Sequence, residues 1–133
     1  MQLKTADELR LTEEQRCALV KALAFLREDK IKYRPLGGPI LGFKAKKGKV
    51  DYFNMRAWVR EYECGTVCCI GGTAQALSGV SFPNSDVFRN RNLHNLFYPS
   101  NQKAWNATPQ QAARAVSNYL STGRASWEKA MRN

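Results

Sequence analysis

The run Cys64-Gly65-Thr66-Val67-Cys68-Cys69-Ile70-Gly71-Gly72 gathers three of the chain's four thiols and three of its nine glycines into one apolar stretch. A glycine inside a helix costs about 1 kcal/mol relative to alanine, so Gly71 and Gly72 imply close contact with another backbone or a bound group. With Thr66 as its N-cap, the spacing predicts a helix running to about Leu77. That helix carries Val67, Ile70, Ala74 and Leu77 on one side and Cys68, Gly71, Gly72 and Gln75 on the adjoining one. Gly79 suits its end. This element is predicted to be the tightly packed centre of the fold.

Two other helices announce themselves by their starts. Thr12-Glu13-Glu14-Gln15 reads as a capping box, followed by Cys17, Leu19, Val20, Leu23, Ala24, Phe25 and Leu26 at three- and four-residue spacing. A helix from about Glu13 to Glu28 follows. Thr108-Pro109-Gln110-Gln111 repeats the signal with proline in the first turn; Ala112, Ala113, Val116, Tyr119 and Leu120 form its apolar stripe and Gly123 its stop. Asn54 is read as the cap of a shorter helix from Met55 to about Tyr62. A small hairpin is expected between arms Ile40 to Lys44 and Lys49 to Phe53. Leu93 to Pro99 is read as a helical turn or extended anchor, and Trp127 with Met131 as a last docked turn. At 133 residues the chain suits one domain that buries about two thirds of its unfolded surface. The expected fold is mainly α: a single compact helical domain over residues 1–133, with a basic Gly/Pro-containing loop at 30–50 and a minor β-hairpin at residues 40–53.

Residues 1–10 lack the apolar core of a signal peptide, and no run of about 18 apolar residues is present to span a bilayer. The reading is therefore a cytoplasmic protein with no membrane partner. In a reducing compartment Cys17, Cys64, Cys68 and Cys69 are expected as thiols.

The formal net charge of +10 is unevenly spread. Residues 30–60 hold nine basic side chains against Asp51 alone, a local excess of +8. Lys44, Lys46, Lys47 and Lys49 lie on the glycine- and proline-broken loop, and Arg56 and Arg60 follow it. Tyr33, Phe43 and Tyr52 are interleaved. Such a cluster suits the phosphate backbone of nucleic acid, whose condensed counterions it displaces, and the aromatic rings suit single-stranded bases. No helix-turn-helix or base-reading pattern accompanies it, so recognition is expected through shape and charge. The same charge suits an acidic protein surface, and it also suits a loop that is simply solvated.

The thiol run admits a second chemistry. A helix N-terminus lowers cysteine pKa, so Cys64 placed just before one, with His94 as base and the amides near Thr66 and Val67 as oxyanion donors, assembles the parts of a cysteine-dependent hydrolase or transferase. Against this, cysteines beside glycines are commonly small buried hydrophobes, and His94 between Leu93 and Leu96 fits a packed turn. Structural zinc needs two short-spaced ligand pairs and the second is missing, so no metal and no cofactor is expected.

Phe53, Asn54, Met55 and Trp58, then Cys64, Gly65, Thr66, Cys68, Gly71 and Gly72, then Leu96, Phe97, Pro99, Thr108, Gln111, Ala112, Ala113, Gly123 and Trp127 form a pattern over roughly residues 50–130. It resembles a small, poorly characterised set of phage and bacterial proteins with a Cys-Gly-Thr-x-x-Cys centre. That set has no known activity, so the resemblance implies no catalytic residues. It does imply an accessory role, including the binding or inhibition of an acidic host protein.

Overall fold

A computed structural model describes residues 2–44 and 48–132. Seven helices and a four-stranded sheet are present among them: α1 Ala6–Leu9, α2 Glu13–Arg27, β1 Lys32–Tyr33, β2 Tyr52–Phe53, β3 Val59–Tyr62, β4 Gly65–Cys68, α3 Ile70–Ser78, α4 Asn84–Arg89, α5 Arg91–Phe97, α6 Pro109–Thr122 and α7 Trp127–Ala130. The architecture is thus mixed α/β, which corrects the mainly helical expectation.

The two capped helices form as their sequences require. Thr12 and Gln15 satisfy each other's free amides at the start of α2, and Thr108 and Gln111 do the same for α6. Thr5 and Glu8 add a third reciprocal cap to the short α1. Each such cap contributes about 1 kcal/mol. α2 packs against both α3 and α6, so it is the centre of the helical layer. Its buried stripe of Ala18, Leu19, Ala22, Leu23 and Leu26 meets Ala112, Val116 and Leu120 within one continuous core.

The sheet runs β1-β2-β4-β3, with β1, β2 and β4 parallel and β3 antiparallel to β4. Two rows of in-register residues set its faces, because paired residues point the same way and successive ones alternate. Tyr33, Phe53, Cys68 and Val59 form one row, and Phe53, Cys68 and Val59 belong to the main core. Lys32, Tyr52, Val67 and Arg60 form the next row, on the outer face. There Val67, Ala57 and Tyr62 make a second, smaller apolar cluster covered by Leu36 and Tyr52.

Three local expectations fail for this reason. The segment read as a helix from Met55 to Tyr62 is a turn followed by β3; Val59 and Tyr62, three apart, lie on opposite faces and are buried in different clusters. Burial on both sides imitates a helical spacing. Among the described residues, the two arms of the hairpin expected at residues 40–53 do not pair with each other. Its second arm becomes β2, which buries Phe53 completely between two partner strands, as a two-stranded surface ribbon could not. In its first arm, the Leu41 amide donates to the Glu61 carbonyl (2.7 Å) and the Glu61 amide to Gly42 (2.8 Å), laying that arm along β3. Finally, Thr66 lies within β4, and Cys69 is the N-cap of α3.

Gly71 and Gly72 then occupy the first turn of α3 against the chain entering β3. A Cβ on Gly72 would stand 1.6 Å from the Trp58 carbonyl oxygen, and one on Gly71 would stand 2.2 Å from the Trp58 ring. The close backbone approach implied by the paired glycines is therefore present, made by Trp58.

Candidate nucleic-acid interface

The outer face of the sheet combines cations with aromatic rings. Lys32 on β1 and Arg60 on β3 close the two ends of one row, with Tyr52 and Val67 between them. Three interstrand spacings of about 4.8 Å separate their Cα atoms by about 14 Å, the rise of about four nucleotides along one B-form strand. Arg34, just after β1, turns its guanidinium over the Tyr62 ring, 3.8 Å from the centroid, and donates to the Pro35 carbonyl at 2.8 Å. This contact holds the guanidinium plane without neutralising it.

Burial pushes the Tyr62 hydroxyl up. The nearby Arg60 guanidinium, the Gly37 amide and the charge of Arg34 together outweigh it and hold the phenol below its ordinary value. Tyr62 thus carries Arg34 over its ring and feels the charge of Arg60 at its hydroxyl.

Among the described residues no acidic oxygen lies within 4.0 Å of a cationic nitrogen of Lys32, Arg34, Arg56 or Arg60. Asp51, the one acid of the segment, accepts the Thr66 amide at 2.8 Å. Glu61 alternates to the side opposite Arg60.

The predicted cluster is only partly assembled. Arg60 lies on the outer face, and Arg56 is exposed in the turn between β2 and β3. Lys44 lies on the helical side of β3, lining a groove of about 490 Å³ with Phe43, Trp58, Val59 and Gln75. Lys49 follows Gly48, whose amide bonds the Ala76 carbonyl of α3 (2.8 Å). Lys46 and Lys47 lie outside the described residues. Lys32 and Arg34, counted in the basic segment but not singled out, are instead central. The signal that could have found them is the alternation Lys32-Tyr33-Arg34, which places both cations on one strand face.

The thiols and the histidine occupy separate settings. Cys64 is exposed in the turn between β3 and β4, not before a helix. The Thr66 amide is taken by Asp51, so it offers no oxyanion site. Cys69, at the start of α3, is buried, which pushes its thiol up to about 11 despite the Gly72 and Gly71 amides. Burial raises the Cys68 thiol as well. The His94 ring lies between Phe88 and Tyr98, and the groove it lines contains no cysteine among the described residues. Nor do those residues include a group of three or more His, Cys, Asp or Glu side chains able to hold a metal ion. No helix among them is long and apolar enough to cross a membrane.

An alkylating reagent is expected to modify only Cys17 and Cys64 in the folded chain and all four thiols after denaturation. Mass spectrometry reads the count, and native labelling of Cys68 or Cys69 would contradict the burial described.

No family model, curated protein or solved structure matches this chain.

Proposed function

We propose that the protein binds a polyanion, nucleic acid above all, through its phosphate backbone. The observation that carries this reading is the uncompensated row on the outer sheet face: Lys32 and Arg60 flank Tyr52, and Arg34 is pinned beside them. Binding of this kind is dominated by counterion release, so it is strong at low salt and indifferent to base sequence. The fixed guanidinium of Arg34 and the strand-borne Lys32 and Arg60 reduce the side-chain ordering that association must otherwise impose.

The test is a salt titration against single- and double-stranded oligonucleotides. Joint replacement Lys32→Gln and Arg60→Gln is expected to weaken duplex binding about tenfold and to lower the slope of log K against log salt by about 2. Parallel removal of charge at Lys44, Lys46, Lys47 and Lys49 measures the loop's share. Affinity indifferent both to salt and to these substitutions would overturn the proposal.

A second reading, an acidic protein partner, draws on a different observation. Leu41 and Phe43, both 68% exposed, stand beside Lys44 and offer apolar surface of the kind a protein partner covers. Saturable capture of an acidic amphipathic peptide that is lost on Phe43→Ser, with no oligonucleotide binding, favours it over the first.

A further inference from the structure

A groove of about 700 Å³ lies beside α5 and the turn before α7, lined by Arg91, His94, Asn95, Tyr98, Arg124 and Ser126 among others. His94 and Tyr98 line it, and Phe88, just outside the lining, continues their row of rings. Phe88 and His94 have centroids 5.2 Å apart with planes tilted 34°, and His94 and Tyr98 are 5.2 Å apart with a tilt of 42°. The result is a fan in which His94 sits between two exposed rings, Phe88 and Tyr98. Phe88 is 69% exposed and stands at its outer end. Phe88 belongs to neither buried apolar cluster.

The charge around the fan has one sign. Arg91 and Arg124 are both exposed at the groove, and Arg89 is exposed next to Phe88. No carboxylate lines the groove among the described residues. Asp86, two residues before Phe88, is directed elsewhere, accepting from Gln15, and Glu128, two residues after Ser126, is exposed but outside the lining. The Asn95 side chain accepts the Ser100 amide and the Asn95 backbone carbonyl accepts the Trp127 indole N–H at 2.9 Å, so the floor of the groove is tied to the core. The chain beside it is held at φ 48° and ψ 55° at Ser126, a backbone conformation that side chains other than glycine seldom adopt.

We infer that this groove is a second binding site, for single-stranded nucleic acid, in which bases stack on Phe88 and Tyr98 at the two ends of the fan while Arg91 and Arg124 take the neighbouring phosphates. Every base presents a flat face, so rings paired with cations accept single strands without reading sequence. An acidic peptide matches the cations but leaves the rings without flat partners. This site is independent of the outer sheet face, since it shares no residue with it.

The experiment compares an oligothymidylate of twelve nucleotides with inorganic polyphosphate, a polyanion without bases. Phe88→Ala is expected to weaken oligothymidylate binding about tenfold or more and leave polyphosphate binding within about twofold. Phe88→Trp restores or tightens it. Because Phe88 is exposed, both variants are expected to melt as the parent does, and a thermal scan checks this. Unchanged oligothymidylate affinity, an equal loss for both ligands, or a tryptophan variant as weak as the alanine one would each overturn the site. Loss of poly-glutamate binding alone would overturn it too, reassigning the groove to acidic peptides. If the Lys32 and Arg60 substitutions change nothing while Phe88→Ala acts selectively, the outer-face reading fails and this one stands.

Discussion

Replacing Gly72 with alanine is expected to destabilise the fold by at least about 3 kcal/mol, among the larger effects a single methyl group can have. The new Cβ would meet the Trp58 carbonyl oxygen at 1.6 Å and its carbon at 2.7 Å, and both are backbone atoms that no rotamer change can move. The two chains cannot simply part. The Cys69 amide bonds the Ala57 carbonyl at 2.7 Å, and Val59 pairs with Cys68 immediately beside it. Relief would break these contacts at the point where α3 joins the sheet. Two substitutions bracket the result. Gly71→Ala meets the ring of Trp58, which can pivot, so its cost is expected to be smaller. Gly42→Ala brings its Cβ only to 3.6 Å from the Glu61 carboxylate and is expected to stay within about 0.5 kcal/mol of the parent. Urea unfolding followed by circular dichroism measures all three. A Gly72→Ala midpoint matching the parent would mean that the junction yields without cost.

Phe97→Ala is expected to lose about 3–5 kcal/mol. The ring is 1% exposed and presents its edge or face to two others at nearly right angles: Trp58 at 5.5 Å and 80°, and Phe82 at 5.2 Å and 86°. It therefore joins α5 to the Trp58 backbone that Gly72 approaches and to the segment leading into α4. Truncation leaves a cavity bounded by rigid rings, which close poorly over the space. Phe97→Leu fills part of it and is expected to recover more than half of the loss. Denaturant unfolding gives both values, and a loss for alanine below about 1.5 kcal/mol would show that α5 settles inward after all.

The elements that were legible in advance are those whose instructions are local. Thr12 with Gln15 and Thr108 with Gln111 mark helix starts within four residues, and Gly79 and Gly123 end α3 and α6 in the left-handed conformation. The sheet was not legible, because its strands are two to four residues long and its parallel pairings join Lys32 to Tyr52 and Tyr52 to Val67. Nothing within so short a strand distinguishes it from a turn. β4 was hidden for a second reason: Thr66, Val67 and Cys68 are buried on both faces and run through Cys69 into α3, so the strand and helix read as one apolar helix. The proposed polyanion surface inherited this error. With Arg60 assigned to a helix, its natural companions were the loop lysines; assigned to β3, they are Lys32 and Arg34.

β3 ends the sheet on one side, and an open strand flank is a template on which further copies of a chain can add. Leu41 and Gly42 already occupy that flank, and Lys44 follows them at once with its charge exposed. This part of the basic loop therefore shields that flank. Shortening it to probe ligand binding would uncover an aggregation-prone border at the same stroke, so its lysines are better removed one charge at a time than by deletion.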